Sequence, residues 1–236
     1  MYYKLSNKAE RKQIEDLFDV TFKYPNLYRP ETVINGLEES NLPVIIMEEP
    51  NAVLLAIWGM LPEKYQDDWQ QFQNLTNTLN IDERNLQTVL WQSEALKDRR
   101  CLILATGFFT SVLKNGMLHH YEISLKTGKP FFLAGIYNTL DDGFITCSLL
   151  LSKANSAIEN YQNIVDSMPI VISKEKQDFW LNNENSFAEI KHFLANTEQY
   201  PFKASPISKD FFDQNKAFNS VLQLVETDQI SRQIQL

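Results

Sequence analysis

Between residues 108 and 151 four apolar runs follow one another with compact turn chemistry at each break, a pattern that commits this part of the chain to an antiparallel meander. Phe108–Leu113 and Leu118–Ile123 flank Asn115-Gly116, the dipeptide that tolerates both positive-φ positions of a two-residue hairpin. Thr127-Gly128 separates the second run from Pro130–Tyr137, and Asp141-Asp142-Gly143 precedes Phe144–Leu151. Strands joined by such short turns make a curved sheet or part of a barrel.

Helical and strand signals surround this meander. A first helix is expected to begin at Asn7, with Glu10 as its capping-box partner and Ile14, Leu17, Phe18 and Phe22 on one face. Val44–Met47 and Ala52–Trp58 read as two strands joined through Glu48-Glu49-Pro50-Asn51. Trp69, Phe72, Leu75 and Leu79, running on from Tyr65, keep the three-and-four spacing of an amphipathic helix. Leu86, Val89, Leu90 and Leu96 suggest another, and Met168–Ile172 a further short strand. Phe179 and Trp180 fall on a short helix. Ser186-Phe187-Ala188-Glu189 is a capping box for the next, which carries Ile190, Phe193 and Leu194. The tail from Phe211 is less periodic. With no internal repeat and no linker rich in Gly, Ser or Pro, residues 1–236 read as one α+β domain. The expected architecture is a strongly curved mixed or antiparallel sheet, a partial barrel, flanked by helices.

The 30 acidic residues outnumber the 22 lysines and arginines, giving a formal charge of −8. That balance argues against broad electrostatic binding of nucleic acid, although a local basic groove can exist on an acidic protein. No apolar run approaches the roughly 20 residues of a membrane span, and MYYKLSNKAERK lacks a secretory core, so a cytoplasmic protein is expected. Cys101 and Cys147 lie in strand-like runs and read as buried free thiols. With three histidines and two cysteines widely spaced, neither a metal site nor a cofactor is expected.

Several segments, in order, resemble the SOS-response-associated peptidase (SRAP) family, whose members process abasic sites in single-stranded DNA. Arg99-Arg100-Cys101-Leu102-Ile103-Leu104-Ala105-Thr106-Gly107-Phe108-Phe109 is similar to the opening of the family's RRCLIPADGFYEW. Trp58-Gly59-Met60-Leu61-Pro62 looks like WGLxP, Phe132-Leu133-Ala134-Gly135-Ile136-Tyr137 like FAGLW, and Met168-Pro169-Ile170-Val171-Ile172 like MPVIL. Ala154-Asn155 and Trp180-Leu181 follow at familiar distances, and Asn80 lies where the NARxET segment begins. The resemblance is strongest over residues 52–182. It implies the family fold, a DNA-damage setting and abasic, single-stranded DNA as partner.

The same alignment departs from the family where the resemblance places its chemistry. The family's nucleophile is an N-terminal cysteine, exposed once the initiator methionine is removed, whose amine and thiol close a thiazolidine on the abasic aldehyde. Here that position is Tyr2, whose phenol cannot close such a ring, and whose bulk favours retention of Met1. The family's active-site glutamate corresponds to Thr110, and the histidine of IHDRMPV to Val165, which can neither carry a proton nor hydrogen-bond a phosphate. Of NARxET only Asn80 survives, and RYNIAPTQ has no counterpart near Val33–Asn41. The family-equivalent positions are therefore Tyr2, Asn80, Thr110 and Val165, and the chain reads as a degenerate, non-catalytic or weakly active homologue. An alternative is an interaction protein that reuses the scaffold for another ligand or a protein partner.

Asn80, Arg84 and Arg99 are the candidate DNA-contacting residues, and a basic groove around them would favour the DNA reading. Arg99 and Arg100, with Lys97, suggest either a phosphate track or, more simply, a solvated helix-to-strand junction near Glu94 and Asp98. Cys101 would need His119 or His120 as a base to act as a nucleophile, and a buried thiol is the simpler reading. Tyr65, Trp69 and Phe72 could stack bases, but at helical spacing they read as core. A free Met1 α-amine, with an ordinary pKa of about 7.7–8.0, offers a residual route to a reversible imine with an aldehyde.

Overall fold

The computed structural model describes residues 2–86, 88–196 and 198–209. The chain runs through β1 (Lys4–Asn7), α1 (Arg11–Phe18), β2 (Thr21–Phe22), β3 (Glu31–Asn35), β4 (Asn41–Ile46) and β5 (Glu49–Trp58). There follow α2 (Trp69–Leu75), β6 (Asn80–Asp82), α3 (Leu90–Asp98), β7 (Arg100–Ala105), β8 (Gly107–Lys114), β9 (Met117–Leu125), β10 (Phe131–Thr139) and β11 (Ile145–Lys153). The expected continuous meander is not formed: β8 and β9 pair as a hairpin in one sheet, while β10 pairs with β11 and β7 in another, so the Thr127-Gly128 break leads from one sheet to the next. The last described elements are β12 (Ser167–Pro169), β13 (Val171–Ile172), α4 (Gln177–Leu181), α5 (Phe187–Ala195) and β14 (Phe202–Ile207).

The larger sheet has the order β12-β11-β10-β7-β4-β5-β2, and β11 also pairs with β5 in parallel through Thr146–Ile57 and Cys147–Trp58. That second pairing closes β5, β4, β7, β10 and β11 into a ring, the partial barrel expected. The β7 sequence RCLILA is buried at every position because both of its faces are covered. Cys101, Ile103 and Ala105 point into the ring with Val44, Trp58, Leu133 and Leu149. Leu102 and Leu104 point outward, where Ile14, Leu96, Trp180 and Ile190 from the helices cover them. The Asn115-Gly116 hairpin forms as expected, with φ of 49° and 76°. Gly59, with φ 111°, turns the chain out of β5 at a point where a Cβ would lie 2.8 Å from the Trp69 indole nitrogen.

Boundaries differ from the expectation in several places: β5 already starts at Glu49, inside the expected turn, and the strand expected over Met168–Ile172 is split into β12 and β13. Asn7 does not start a helix: it ends β1, and its Nδ2 donates to the Leu104 carbonyl at 3.2 Å. Helix α1 starts at Arg11, and Glu10 occupies the N-cap position without a side-chain cap. The second helix is shorter than its apolar spacing suggests, because the Asp68 carboxylate accepts from Gln71 N at 2.9 Å and fixes the start at Trp69. Leu75 is left exposed and Leu79 enters the core beside β6. The third helix begins at Leu90 rather than Leu86. The tail from Phe211 lies outside the described residues. Among the described residues no helix is long and apolar enough to cross a membrane.

A smaller sheet, β14-β9-β8-β1-β3, leans against the ring. Its centre, β1 on β8, pairs Leu5 with Phe108 and Ser6 with Gly107. This pairing brings the first described residues beside β8.

Candidate functional site

Tyr2 precedes β1 and is almost wholly buried, its ring edge-on to Phe108 at a centroid distance of 5.7 Å. Its hydroxyl donates to Gln162 Oε1 and lies 3.1 Å from the Ser167 carbonyl. Gln162 is held in turn by Nε2 bonds to the carbonyls of Val165 (2.9 Å) and Ser167 (2.7 Å). Burial holds the Tyr2 phenol protonated, far above its ordinary value, with the Gln162 bond acting weakly the other way. The Tyr2 carbonyl accepts from Asn80 Nδ2 at 2.5 Å, while Asn80 Oδ1 is buried with no hydrogen-bond partner.

Tyr2, Thr110 and Val165 line one cavity of about 240 Å³, together with Lys4, Ser111, His120 and Gln162. Three of the family-equivalent positions thus meet at one place, and Asn80 braces the backbone behind the first of them. Thr110 Oγ1 is buried and lacks a hydrogen-bond partner. Across the β8–β9 hairpin Ser111 faces His120, and Ser111 Oγ lies 2.7 Å from His120 Nδ1. No carboxylate lines the cavity among the described residues, although the whole chain carries −8.

The candidate DNA-contacting arginines are placed elsewhere. Arg84 forms bidentate pairs with Asp82 (2.7 Å from Nε and from Nη2) and with Asp166 (2.8 and 3.2 Å), so its charge is matched by two carboxylates. It lines a different groove, with Leu86, Leu96, Phe187 and Lys191. Arg99 donates through Nε to Asn138 Oδ1 at 2.9 Å, and Asn138 holds the Leu61 carbonyl. Arg100 is neither a phosphate track nor part of a solvated junction, because it is fully buried. Cys101 and Cys147 are free and buried, and burial raises the Cys101 thiol well above its ordinary pKa, against any nucleophilic role. His120 lines the cavity, away from the Cys101 side chain inside the ring. Trp69 and Phe72 pack inward as helix residues, and Tyr65 meets Phe72 edge-on at 4.9 Å. Met1 lies outside the described residues.

The Arg84 clamp sets an expected pH response. Its hydrogen bonds hold the carboxyls of Asp82 and Asp166 below the usual carboxylate range. Folded values below the unfolded value of about 3.9 mean stabilisation that is present above that pH. It is lost as pH falls through the lowered folded values. Arg84→Ala is therefore expected to flatten the fall of the urea midpoint with acid below about pH 4. An unchanged acid slope would show that the clamp contributes nothing.

Sequence reasoning did not single out Lys4, Ser111 or Gln162. Lys4 was hidden because β1 carries the buried polar residues Lys4, Ser6 and Asn7 and so shows no apolar alternation. The Ser111–His120 pairing, by contrast, follows from counting outward along both strands from the Asn115-Gly116 turn.

Comparisons with known proteins agree with this fold. The family model described as SOS response associated peptidase (SRAP) matches residues 1–213. Abasic site processing protein YobE of Bacillus subtilis is 27% identical over 158 residues, covering 64% of this chain and 69% of its own length. An abasic site processing protein of Saccharomyces cerevisiae is 24% identical over 150 residues, 62% of this chain and 39% of that protein. A solved protein from Bacteroides thetaiotaomicron superposes with a TM-score of 0.81 at 22% identity, covering 94% of this chain and 98% of that one. One from Bordetella bronchiseptica gives 0.70 at 14% identity, covering 87% and 99%. With the family model spanning every described element, the chain belongs to the SOS response associated peptidase family.

Proposed function

We propose that this protein binds single-stranded DNA at an abasic site through the cavity beside β1, in a DNA-damage setting, without making the family's thiazolidine crosslink. The observation that carries this reading is the convergence of Tyr2, Thr110 and Val165 on one cavity free of described carboxylates. A phenol bonded to Gln162 stands at the position where the family resemblance puts the thiol of the ring chemistry. The relatives named for abasic site processing supply the ligand class.

Arg84 and Arg99 enter this proposal only as secondary contacts. The carboxylates and amide that hold them would have to be traded for phosphate. Affinity is therefore expected to come from the cavity, with a shallow salt dependence of about one or two counterions released. Fluorescence anisotropy with a single-stranded oligonucleotide carrying one abasic site, beside the intact strand, tests this. Tighter binding of the abasic strand supports the proposal, and equal or absent binding of both strands sinks it.

A second reading rests on a separate observation. Leu113, Met117, Leu118 and Ile164 are each about half exposed, and the Asn163 side-chain amide ties the Ile164 loop to Leu113, accepting from its N–H at 2.8 Å and donating to its carbonyl at 2.9 Å. An apolar lip of this kind beside the cavity suits a protein partner. Loss of all DNA preference would leave that interaction role as the better account.

A further inference from the structure

We propose that Lys4 supplies an amine that condenses with a small aldehyde in the cavity beside β1, forming a reversible imine at a position three residues from the chain's start. The inference takes its substrate class, an aldehyde such as ring-opened deoxyribose, from the proposed abasic-site reading. It assigns the chemistry to a residue that the family resemblance does not mark.

Three observations point to it. Lys4 is only 5% exposed, yet lines the same cavity as Tyr2 and Thr110. Lysine is among the residues least often buried, and in a secluded pocket its amine is a nucleophile suited to carbonyl carbon. Its Nζ lies 5.6 Å from the centre of the Tyr3 ring, a further wall of the cavity. Independently, Thr110 Oγ1 is buried on the same wall with no hydrogen-bond partner, the mark of a polar atom whose partner is supplied by a ligand. Finally, the Ser111–His120 pair places an imidazole on the cavity wall, its Nδ1 engaged by a hydroxyl 2.7 Å away. The volume of about 240 Å³ lies below that of drug-sized ligand sites and suits a sugar-sized aldehyde.

The chemistry closes without an outside oxidant or reductant. The Nζ lone pair adds to the carbonyl carbon, the C=O π electrons move to oxygen, and a proton passes from nitrogen to that oxygen to give a carbinolamine. Protonation of the hydroxyl lets it leave as water while the nitrogen lone pair forms C=N. Both proton movements suit the imidazole of His120, with Thr110 Oγ1 donating to the oxygen while it is negative. Hydrolysis reverses every step, so the adduct persists only when a hydride donor reduces it.

The test incubates the full chain with sodium cyanoborohydride and, separately, glycolaldehyde or a single-stranded oligonucleotide bearing one abasic site. Modified peptides are then mapped by mass spectrometry. Lys4 is expected to be labelled at least about tenfold faster than exposed lysines such as Lys114. The His120→Gln variant, checked for fold by circular dichroism, is expected to slow labelling several-fold while leaving its site unchanged. Labelling of Lys4 by glycolaldehyde but not by the oligonucleotide would keep the amine and remove the DNA reading. Labelling confined to the Met1 α-amine, or spread evenly over surface lysines, would overturn the proposal. Because the mapping uses the native chain, it does not depend on a Lys4 variant folding.

Discussion

Arg100→Ala is expected to destabilise the fold by about 3–5 kcal/mol, close to the whole stability of many domains of this size. Arg100 opens β7 with no exposed surface, and its guanidinium pairs with no carboxylate among the described residues. Instead Nε donates to the Trp180 carbonyl at 2.7 Å, Nη1 to Leu96 at 2.9 Å and to Lys97, and Nη2 to Asn182 at 2.5 Å. These acceptors belong to the ends of α3 and α4, where carbonyls have no partner within their own helix. One side chain therefore closes two helix C-termini against the ring, and the negative ends of both dipoles stabilise its charge. Burial pulls the guanidinium down to about 10, so it stays cationic at neutral pH. Alanine would leave the buried carbonyls of Trp180 and Leu96 and the part-buried ones of Lys97 and Asn182 unpaired, at about 1–3 kcal/mol for each buried group, offset by relaxation and water entry. Arg100→Lys should recover less than half of the loss, since an ammonium cannot reach acceptors spread around a planar fork. Urea denaturation followed by circular dichroism checks both variants. A loss below about 1 kcal/mol would show that the helix ends are satisfied without it. A fold left intact with weakened, salt-dependent DNA binding would instead return Arg100 to the phosphate-track role.

Part of the β-structure was legible because its strands obey local rules, although the exchange of β8 and β9 into the smaller sheet was not. Asn115-Gly116 fixed a hairpin, and with it the register that pairs Ser111 with His120. From Cys101 to Ala105 β7 is apolar at every position, the pattern of a strand covered on both faces. What stayed hidden was held by non-local bonds. Strand β1 is read from its sequence as a helix start because Asn7 has a capping side chain, yet that amide serves Leu104 across the sheet. Strands β3 and β14 are only half-buried edges, so their alternation is faint. The site itself was legible only through the resemblance. Tyr2 and Val165 carry no local signal of a cavity, and 162 residues of chain separate two walls that the fold brings together. The arginines show the converse limit. Their charge was plain in the sequence, but whether it faces a ligand depends on Asp82, Asp166 and Asn138, which only the tertiary structure places.

Tyr2→Cys should exchange stability for chemistry. Removing the ring from its contact with Phe108 and from Gln162 and Ser167 is expected to cost about 2–4 kcal/mol, from the void and from the orphaned acceptors. In return the cavity regains, by resemblance to the family, the thiol that an N-terminal amine needs for a thiazolidine. A cysteine is also small enough to let the preceding methionine be removed. The expected result is a denaturant-stable adduct with abasic single-stranded DNA in the absence of any reductant, which the Lys4 imine cannot mimic because it hydrolyses. Tyr2→Ser, of similar size and equally cavity-forming, should give none. With Thr110 and Val165 in place proton transfer is poorly served, so the adduct should form about 10²–10⁴-fold more slowly than with a positioned acid and base. Adding Thr110→Glu and Val165→His should recover part of that rate, since both positions line the same cavity as residue 2. A folded triple variant that never forms the adduct would mean that an abasic sugar does not enter this cavity. In that event the apolar lip at Leu118 and Ile164 would become the surface to pursue.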